Sequence, residues 1–156
     1  MVHNLTVGML QEHTYFYIDE QTKHGFVIDP GAEANKLLGF IKEQGYIIEK
    51  ILLTHGHMDH IGGAAAIREA LKCPIVIHQE GEIYLEDANW NMSSQFGRPF
   101  TLEADEFVEH GDEIILEANK DFKVRVIYAP GHTADGVAYY AEKEGRDHHY
   151  RPLWKL

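Results

Sequence analysis

The feature of this sequence that most constrains its fold is a cluster of metal-binding side chains directly after an apolar segment. Residues 54–60 read THGHMDH, and the mostly apolar run 47–53 that precedes them predicts a strand. Side chains two residues apart on a strand point the same way, so His55 and His57 at the strand end can converge on one ion. The cluster therefore predicts a metal site at the end of a strand.

The residue types in this cluster indicate a catalytic metal site rather than a purely structural one. Asp59 and His60, on the turn after the strand, reach a second position beside the first two histidines. Neutral imidazole suits Zn, Fe or Mn, and a carboxylate beside histidines is typical of a site that keeps a water. We expect Gly56 to permit an unusual backbone angle and close approach. The alternative is a histidine-rich loop that binds no metal.

The remaining pattern alternates strands with helices. Two β-rich runs at 15–18 and 25–28 predict a hairpin, whose first strand we expect at the edge or the entry of a sheet. Helical spacing predicts helices over 34–44, with Gly45 as its C-terminal cap, and over 62–73. Further strands are predicted over 74–78, 106–109, 113–116, 123–128 and 137–141, with a short helix over 82–87 and a loop over 89–99. This alternation predicts an α/β fold with a partly parallel sheet covered by helices.

Length and composition favour one domain over residues 1–156 and narrow the range of partners. The 156 residues are 44% hydrophobic, enough for one core. The net charge of −11, from 14 basic and 25 acidic residues, argues against a nucleic-acid partner. We expect no membrane association, since the opening residues do not resemble a signal peptide and no apolar stretch approaches transmembrane length. The single cysteine, Cys73, cannot form an internal disulfide, which favours the cytoplasm.

Three segments together resemble the metallo-β-lactamase superfamily, specifically its short glyoxalase II-like (hydroxyacylglutathione hydrolase-like) hydrolases. They are VIDPG at 27–31, THGHMDHIGG at 54–63 and APGHT at 129–133. The resemblance covers about residues 5–145 and implies an αββα sandwich. It also implies a metal-activated hydroxide that attacks a thioester or ester, such as a hydroxyacyl-glutathione.

The resemblance assigns the metal ligands residue by residue. It implies that His55, His57 and His132 bind one ion and that Asp59 and His60 serve a second. Zinc is the expected metal, as one or two ions, with iron or manganese as alternatives. His132 follows the predicted strand 123–128, so its loop can face the same site as the histidine cluster.

The resemblance also gives two aspartates distinct roles. Asp59, as a carboxylate beside the attacking water, is the expected catalytic residue that orients it and accepts its proton. Asp29 resembles the family's aspartate that supports the metal ligands without binding the metal, although Asp-Pro-Gly by itself mostly indicates a turn. We interpret His13, His78 and His110 as ordinary polar residues.

The sequence departs from the family pattern in two places. The family usually has Pro-Gly-Ser where this chain has Ala134-Asp135-Gly136, a change that can alter the loop without touching a ligand. Residues 146–156 have no counterpart of the family's later Thr-Gly-Asp and Gly-His-Gly segments, which complete the second metal site. We therefore expect a C-terminally incomplete sandwich with a non-family tail, and a homodimer as one way to cover its open edge.

Two other functions remain open at this point. One is a mononuclear iron sulfur dioxygenase, or a lactonase, of the same superfamily. The other is a catalytically silent metal-binding or interaction domain, which the missing ligands of the second site favour. Metal content and turnover distinguish these alternatives from the hydrolase.

Overall fold

The computed structural model describes residues 2–7, 12–97, 99–130, 135–142 and 150–152. Within these ranges, ten strands form a six-stranded sheet of order β1-β2-β3-β4-β5-β6 and a four-stranded sheet of order β10-β9-β8-β7. The strands of the first sheet are β1 Val2–Val7, β2 Glu12–Ile18, β3 His24–Ile28, β4 Ile47–Leu52, β5 Ile75–His78 and β6 Glu106–Val108. Those of the second are β7 Glu113–Ile115, β8 Lys123–Tyr128, β9 Val137–Glu142 and β10 Tyr150–Pro152. The helices are α1 Ala34–Gln44, α2 Met58–Ile61, α3 Ala64–Leu71 and α4 Glu82–Glu86.

The first sheet confirms the predicted hairpin and the parallel strands after it. β2 and β3 pair antiparallel, and β3, β4, β5 and β6 are successively parallel. The edge, one of the two positions expected for β2, is wrong, because β1 pairs with it from Val2↔Tyr17 to Val7↔Glu12. Apolar and polar residues alternate in β1 only weakly, as suits a strand with an exposed edge, so periodicity did not reveal it.

The predicted first helix is confirmed, and the second is shorter than predicted. α1 ends at Gly45, which adopts the left-handed conformation at φ 72° and donates its N–H to the carbonyls of Ile41 and Lys42. The helix expected over 62–73 is observed as α3, and a short helix that was not predicted, α2, precedes it, with the break at Gly62-Gly63. There the chain packs against the 30–31 segment, and the Gly63 N–H donates to the Pro30 carbonyl at 2.6 Å. A Cβ on Gly62 would overlap the Gly31 carbonyl, which explains the need for glycine.

Two apolar clusters fill the spaces between the layers. The first lies between the helices and the six-stranded sheet and includes Leu37, Ile41, Ile51 and Ile67. The second, between the two sheets, contains no helix residue in the described part of the chain; it is built from Phe26, Leu52, Val76, Val124, Val126 and Tyr139, among others. Burial of these side chains drives the layers together at about 25 cal/mol per Å² of apolar surface.

This layering is that of the predicted mixed α/β sandwich. The described residues form a helical layer and two sheets, which are three of the four αββα layers. Among these residues no helix is long and apolar enough to cross a membrane. The carboxyl ends of β3, β4 and β5 meet at one edge of the first sheet, and the functional side chains lie there.

Candidate metal centre

The histidine cluster lies where the parallel strands β3 and β4 end. Asp29 directly follows β3, and residues 53–57 follow β4. Because parallel strands have their carboxyl ends at the same edge of a sheet, these two segments are neighbours. α2 begins at Met58 and carries the two remaining candidate ligands of the cluster, Asp59 and His60.

Three of the predicted ligands already form a compact donor group. His55, Asp59 and His60 each place a ligand atom within 4.8 Å of the other two. All three side chains are half-buried, so the group is reached from solvent. Ligand distances of about 2.0–2.2 Å allow two nitrogen or oxygen ligands of one zinc to lie up to about 4.4 Å apart. The two imidazoles and the carboxylate therefore fit a divalent transition metal with small adjustments.

Asp29 holds two of these imidazoles in orientation through a hydrogen-bond network. Its Oδ1 accepts the Thr54 backbone N–H at 2.7 Å, and its Oδ2 accepts the Thr54 hydroxyl at 2.5 Å. The same Oδ2 lies 2.8 Å from Nδ1 of His60, which donates to it. Since the Thr54 hydroxyl gives its hydrogen to Asp29, it accepts from Nδ1 of His55 at 3.0 Å. Both rings then keep Nε2 as the lone-pair atom available to a metal.

The backbone at Asp29 is fixed in the unusual conformation that this network requires. Its φ is 53°, in the left-handed region that aspartate tolerates better than most residues. The Asp29 N–H donates to the Leu52 carbonyl at 3.0 Å, and its own carbonyl accepts the buried Thr14 hydroxyl at 2.8 Å. The Asp-Pro-Gly turn thus places a buried carboxylate beneath the histidine cluster.

The charges of this network act on His60. Burial alone lowers the pKa of His60, but the adjacent Asp29 carboxylate and its hydrogen bond raise it. The charges of Asp59 and Asp135 add to this effect, and the pKa ends above its ordinary value. Nε2 of His60 lies 3.5 Å from the Asp59 carboxylate. The same negative charge that favours a proton on His60 favours a metal cation at that position.

The compact donor group brings together His55, expected in the first site, with Asp59 and His60, expected in the second. His57 does not belong to the donor group among the described residues; its ring centre is 5.2 Å from that of His55. The ring instead meets the ring of Tyr84 edge-on, with centres 6.0 Å apart. His132, the expected third ligand beside His55 and His57, lies in 131–134, outside the described residues.

Gly56 provides space rather than an unusual backbone angle. It is not among the described glycines with positive φ, contrary to our expectation from the sequence. A Cβ at this position would overlap the Cβ of Tyr84, on α4. The histidine segment therefore packs directly against α4.

The second sheet holds the histidine segment from the other side, which the sequence did not reveal. The Val137 N–H donates to the Thr54 carbonyl at 2.9 Å, and the Tyr139 hydroxyl donates to the Leu53 carbonyl at 2.6 Å. Just before β9, Asp135 is completely buried beside the cluster. The only sequence signal for Asp135 was an acidic residue in an otherwise uncharged segment where the family pattern differs.

Another histidine interpreted as ordinary is built into the core near this edge. His78, at the end of β5, is 4% exposed and stacks on Tyr128 with ring centres 4.2 Å apart. Its Nδ1 accepts the Glu80 N–H at 3.1 Å, and burial lowers its pKa. The Tyr128 N–H donates to Nδ1 of His110 at 3.0 Å. These contacts give His78 and His110 structural roles.

Comparison with known proteins identifies the sequence family of the chain. The sequence profile of the metallo-beta-lactamase superfamily matches residues 7–145. The chain is 36% identical over 141 residues to the probable metallo-hydrolase YqgX of Bacillus subtilis, covering 88% of this chain and 64% of that protein. It is 28% identical over 138 residues to the hydroxyacylglutathione hydrolase GloC of Haemophilus influenzae, covering 86% of this chain and 63% of that protein. The chain thus spans about 64% of the length of curated relatives that it matches.

Solved structures agree with the fold. The crystal structure of the BLEG-1 B3 metallo-beta-lactamase superposes with a TM-score of 0.84 at 32% identity, over 92% of this chain and 68% of that one. TTHA1623, crystallised in a di-iron-bound form, superposes with a TM-score of 0.73 at 30% identity, over 88% of this chain and 66% of that one.

Proposed function

The chain belongs to the metallo-beta-lactamase superfamily, and from this premise we propose that it is a metal-dependent hydrolase of a thioester or ester. A hydroxyacyl-glutathione-like compound is the proposed substrate. The observation that carries the proposal is the convergence of His55, Asp59 and His60 at the ends of parallel strands, with two of the rings oriented by one buried carboxylate.

The proposed metal is zinc, held by residues of the cluster. His55 and His57 would hold one ion together with His132, and Asp59 and His60 would contribute to a second. The donor set of imidazole and carboxylate suits zinc and also admits iron or manganese. When bound, a divalent cation supplies Lewis acidity, which lowers the pKa of water toward neutrality and polarises a carbonyl oxygen.

Different residues of the chain would then have different roles in hydrolysis. Asp59, half-buried and on the first turn of α2, is placed to accept a proton from the attacking water. Asp29 keeps the imidazoles of His55 and His60 in one tautomer, so that no ring has to reorient during turnover. Tyr84 keeps His57 from rotating freely.

Thioester hydrolysis by the zinc-loaded chain tests the proposal, with His57→Ala as the informative variant. We expect wild-type turnover of a hydroxyacyl-glutathione and a loss of about 10–100-fold or more in the variant, because it removes a proposed metal ligand. His13→Ala, which changes an exposed histidine on β2, is the matched control and should retain activity. Activity unchanged by His57→Ala would contradict metal-dependent hydrolysis.

The di-iron-bound form of TTHA1623 supports iron as an alternative metal, and the second candidate is therefore a mononuclear iron sulfur dioxygenase of the same superfamily. Metal analysis of purified protein separates the candidates. Two zinc ions per chain with thioester turnover support the hydrolase, and iron with oxygen consumption supports the dioxygenase. One bound metal without turnover supports a silent metal-binding domain, and turnover of lactones alone supports a lactonase.

A further inference from the structure

Asp135 is a fully buried carboxylate placed immediately behind the histidine segment. Its side chain is 0% exposed. Its Oδ2 lies 3.4 Å from the position of a Cβ built on Gly56, and 3.0 Å from that of a Cβ built on Gly81. Since both positions are glycine, the backbone there comes close enough for the carboxylate to fit between the His-Gly-His turn and the segment that leads into α4.

The strand that follows Asp135, β9, is anchored to the same turn. Two residues later, the Val137 N–H donates to the Thr54 carbonyl at 2.9 Å. The fully buried Tyr139 hydroxyl donates to the Leu53 carbonyl at 2.6 Å. These bonds fix the start of β9 against the end of β4, so the position of Asp135 relative to His55 and His57 is set by the packing of the two sheets.

The carboxylate of Asp135 lies close to the metal-binding side chains. It is directly behind Gly56, the residue between His55 and His57. The carboxylates of Asp29 and Asp59 lie 2.8 Å and 3.5 Å from the ring nitrogens of His60. Three carboxylates therefore surround the cluster. A buried negative charge is costly unless a positive charge lies close to it.

We infer that Asp135 is a positioning residue of the metal centre, supplying a buried negative charge that strengthens cation binding by the histidine turn. The inference rests on the proposed metal-dependent function and names a residue that the family resemblance did not assign. Asp135 is not one of the three described donors that lie within 4.8 Å of one another, and the role that we assign to it comes from its charge. A divalent ion held mainly by neutral imidazoles retains most of its charge, and the carboxylate compensates part of it.

The zinc affinity of the full chain, measured by competition with a chromophoric chelator, tests this inference. Asp135→Asn keeps the shape of the side chain and removes its charge. We expect it to bind zinc about 10–100-fold more weakly than the wild type. The urea midpoint of the metal-free variant should be equal to that of the wild type or higher, because the variant removes a buried charge near two other carboxylates. If Asp135 only fills space, both the midpoint and the zinc affinity of Asp135→Asn should equal those of the wild type, because asparagine has the same shape.

A matched control is Asp19→Asn, since Asp19 is also buried but lies in the β2–β3 turn, where its carboxylate accepts the Gln21 N–H and the Thr22 hydroxyl. It should leave zinc affinity unchanged. If Asp135→Asn does not fold, Asp135→Gly takes its place with the same expectation for zinc affinity alone, since the void and the flexible backbone of glycine lower the urea midpoint whatever the role of the charge.

The possible outcomes separate this inference from the proposed function. Equal zinc affinity in the wild type and Asp135→Asn overturns the inference and leaves the proposed function standing. A stability loss in the metal-free variant that accompanies the affinity loss assigns Asp135 a structural role and also overturns it. A wild-type chain that binds neither zinc nor another divalent metal contradicts the proposed function itself, and the inference with it.

Discussion

At the scale of single residues, the site depends on one carboxylate that serves several partners. Asp29 accepts hydrogen bonds from the Thr54 backbone, the Thr54 hydroxyl and the His60 ring. Through the Thr54 hydroxyl it also determines which nitrogen of His55 carries the proton. Two rings from different parts of the segment are thus set by a single acid, so the loss of this acid disturbs both at once.

His78 illustrates a residue whose protonation opposes folding. Burial lowers the pKa of His78 from its ordinary value of 6.5, and its Nδ1 must be unprotonated to accept the Glu80 N–H. The unfolded chain therefore takes up this proton at a higher pH than the folded chain. The stabilisation from neutral His78 is present above about pH 6.5 and is lost as the pH falls through the lowered pKa.

We predict that His78→Asn reduces the loss of stability on acidification, because asparagine can still accept the Glu80 N–H but does not titrate. Urea unfolding of the metal-free protein between pH 7.5 and 5 measures the effect. The free energy of unfolding of the variant, relative to that of the wild type, should increase as the pH falls. The same substitution at exposed His13 controls for the loss of a histidine as such. A difference independent of pH would show that His78 does not titrate in this range.

At the scale of elements, strand β9 connects the second sheet to the histidine segment, residues 53–57. The Tyr139 hydroxyl is completely buried and donates to the Leu53 carbonyl, just after β4. Without this donor, a buried carbonyl has to find another partner or remain unsatisfied. The bond between the two sheets therefore contributes to the fold and positions the histidine segment.

We predict that Tyr139→Phe lowers the free energy of unfolding by about 1–3 kcal/mol, because it removes the hydroxyl and keeps the packing of the ring. Urea unfolding of both proteins gives the value. Tyr140→Phe changes the next, partly exposed residue of β9 and should alter the stability by less than about 0.5 kcal/mol. An equal loss of free energy of unfolding in the two variants would show that the hydrogen bond to Leu53 does not contribute more to stability than the hydroxyl of Tyr140.

Elements with strong local signals were predictable, and those decided by contacts distant in sequence were not. The spacing of Leu37 and Ile41 with Gly45 predicted α1, and the apolar run before the histidines predicted β4. The break between α2 and α3 results from the close approach of another loop, which leaves only two glycines as a trace in the sequence. Apolar and polar residues alternate only weakly in β1, so its sequence did not indicate a strand.

The residues of the site show the same contrast between local sequence signals and contacts distant in sequence. The ligands near one another in sequence, from His55 to His60, were identifiable because their spacing suits a strand end. Asp135 was not, because its proximity to Gly56 arises only when the second sheet packs on the first. The role of Asp29 was inferred by resemblance, and its geometry agrees with that role.

At the scale of the whole molecule, a bound metal would link separate parts of the chain. The donors lie after β4 and on α2, and their supporting carboxylate follows β3. A ligand that binds the folded chain and not the unfolded one stabilises the fold by mass action. Metal content should therefore be visible in the thermal stability of the entire domain.

We predict that zinc at one hundred times its dissociation constant adds about 2.7 kcal/mol to the free energy of unfolding. For a domain of this size, this raises Tm by roughly 5–10 °C. Differential scanning fluorimetry with zinc, with EDTA, and with zinc added back after EDTA measures the shift. Magnesium is the control ion, since it prefers oxygen ligands and should have little effect. An identical Tm in zinc and EDTA would show that the histidine cluster does not bind the metal in the folded chain.

The bond between Tyr139 and Leu53 joins residues 86 positions apart, and this separation has a consequence for the order of events during synthesis. At about 5–20 residues per second, β9 leaves the ribosome roughly 4–17 s after the end of β4. Throughout that interval the histidines are already made, while the strand that fixes their backbone does not yet exist. Nascent chains thus pass through a period in which their imidazoles are accessible but not oriented, and tight, selective loading with a metal has to wait for the second sheet.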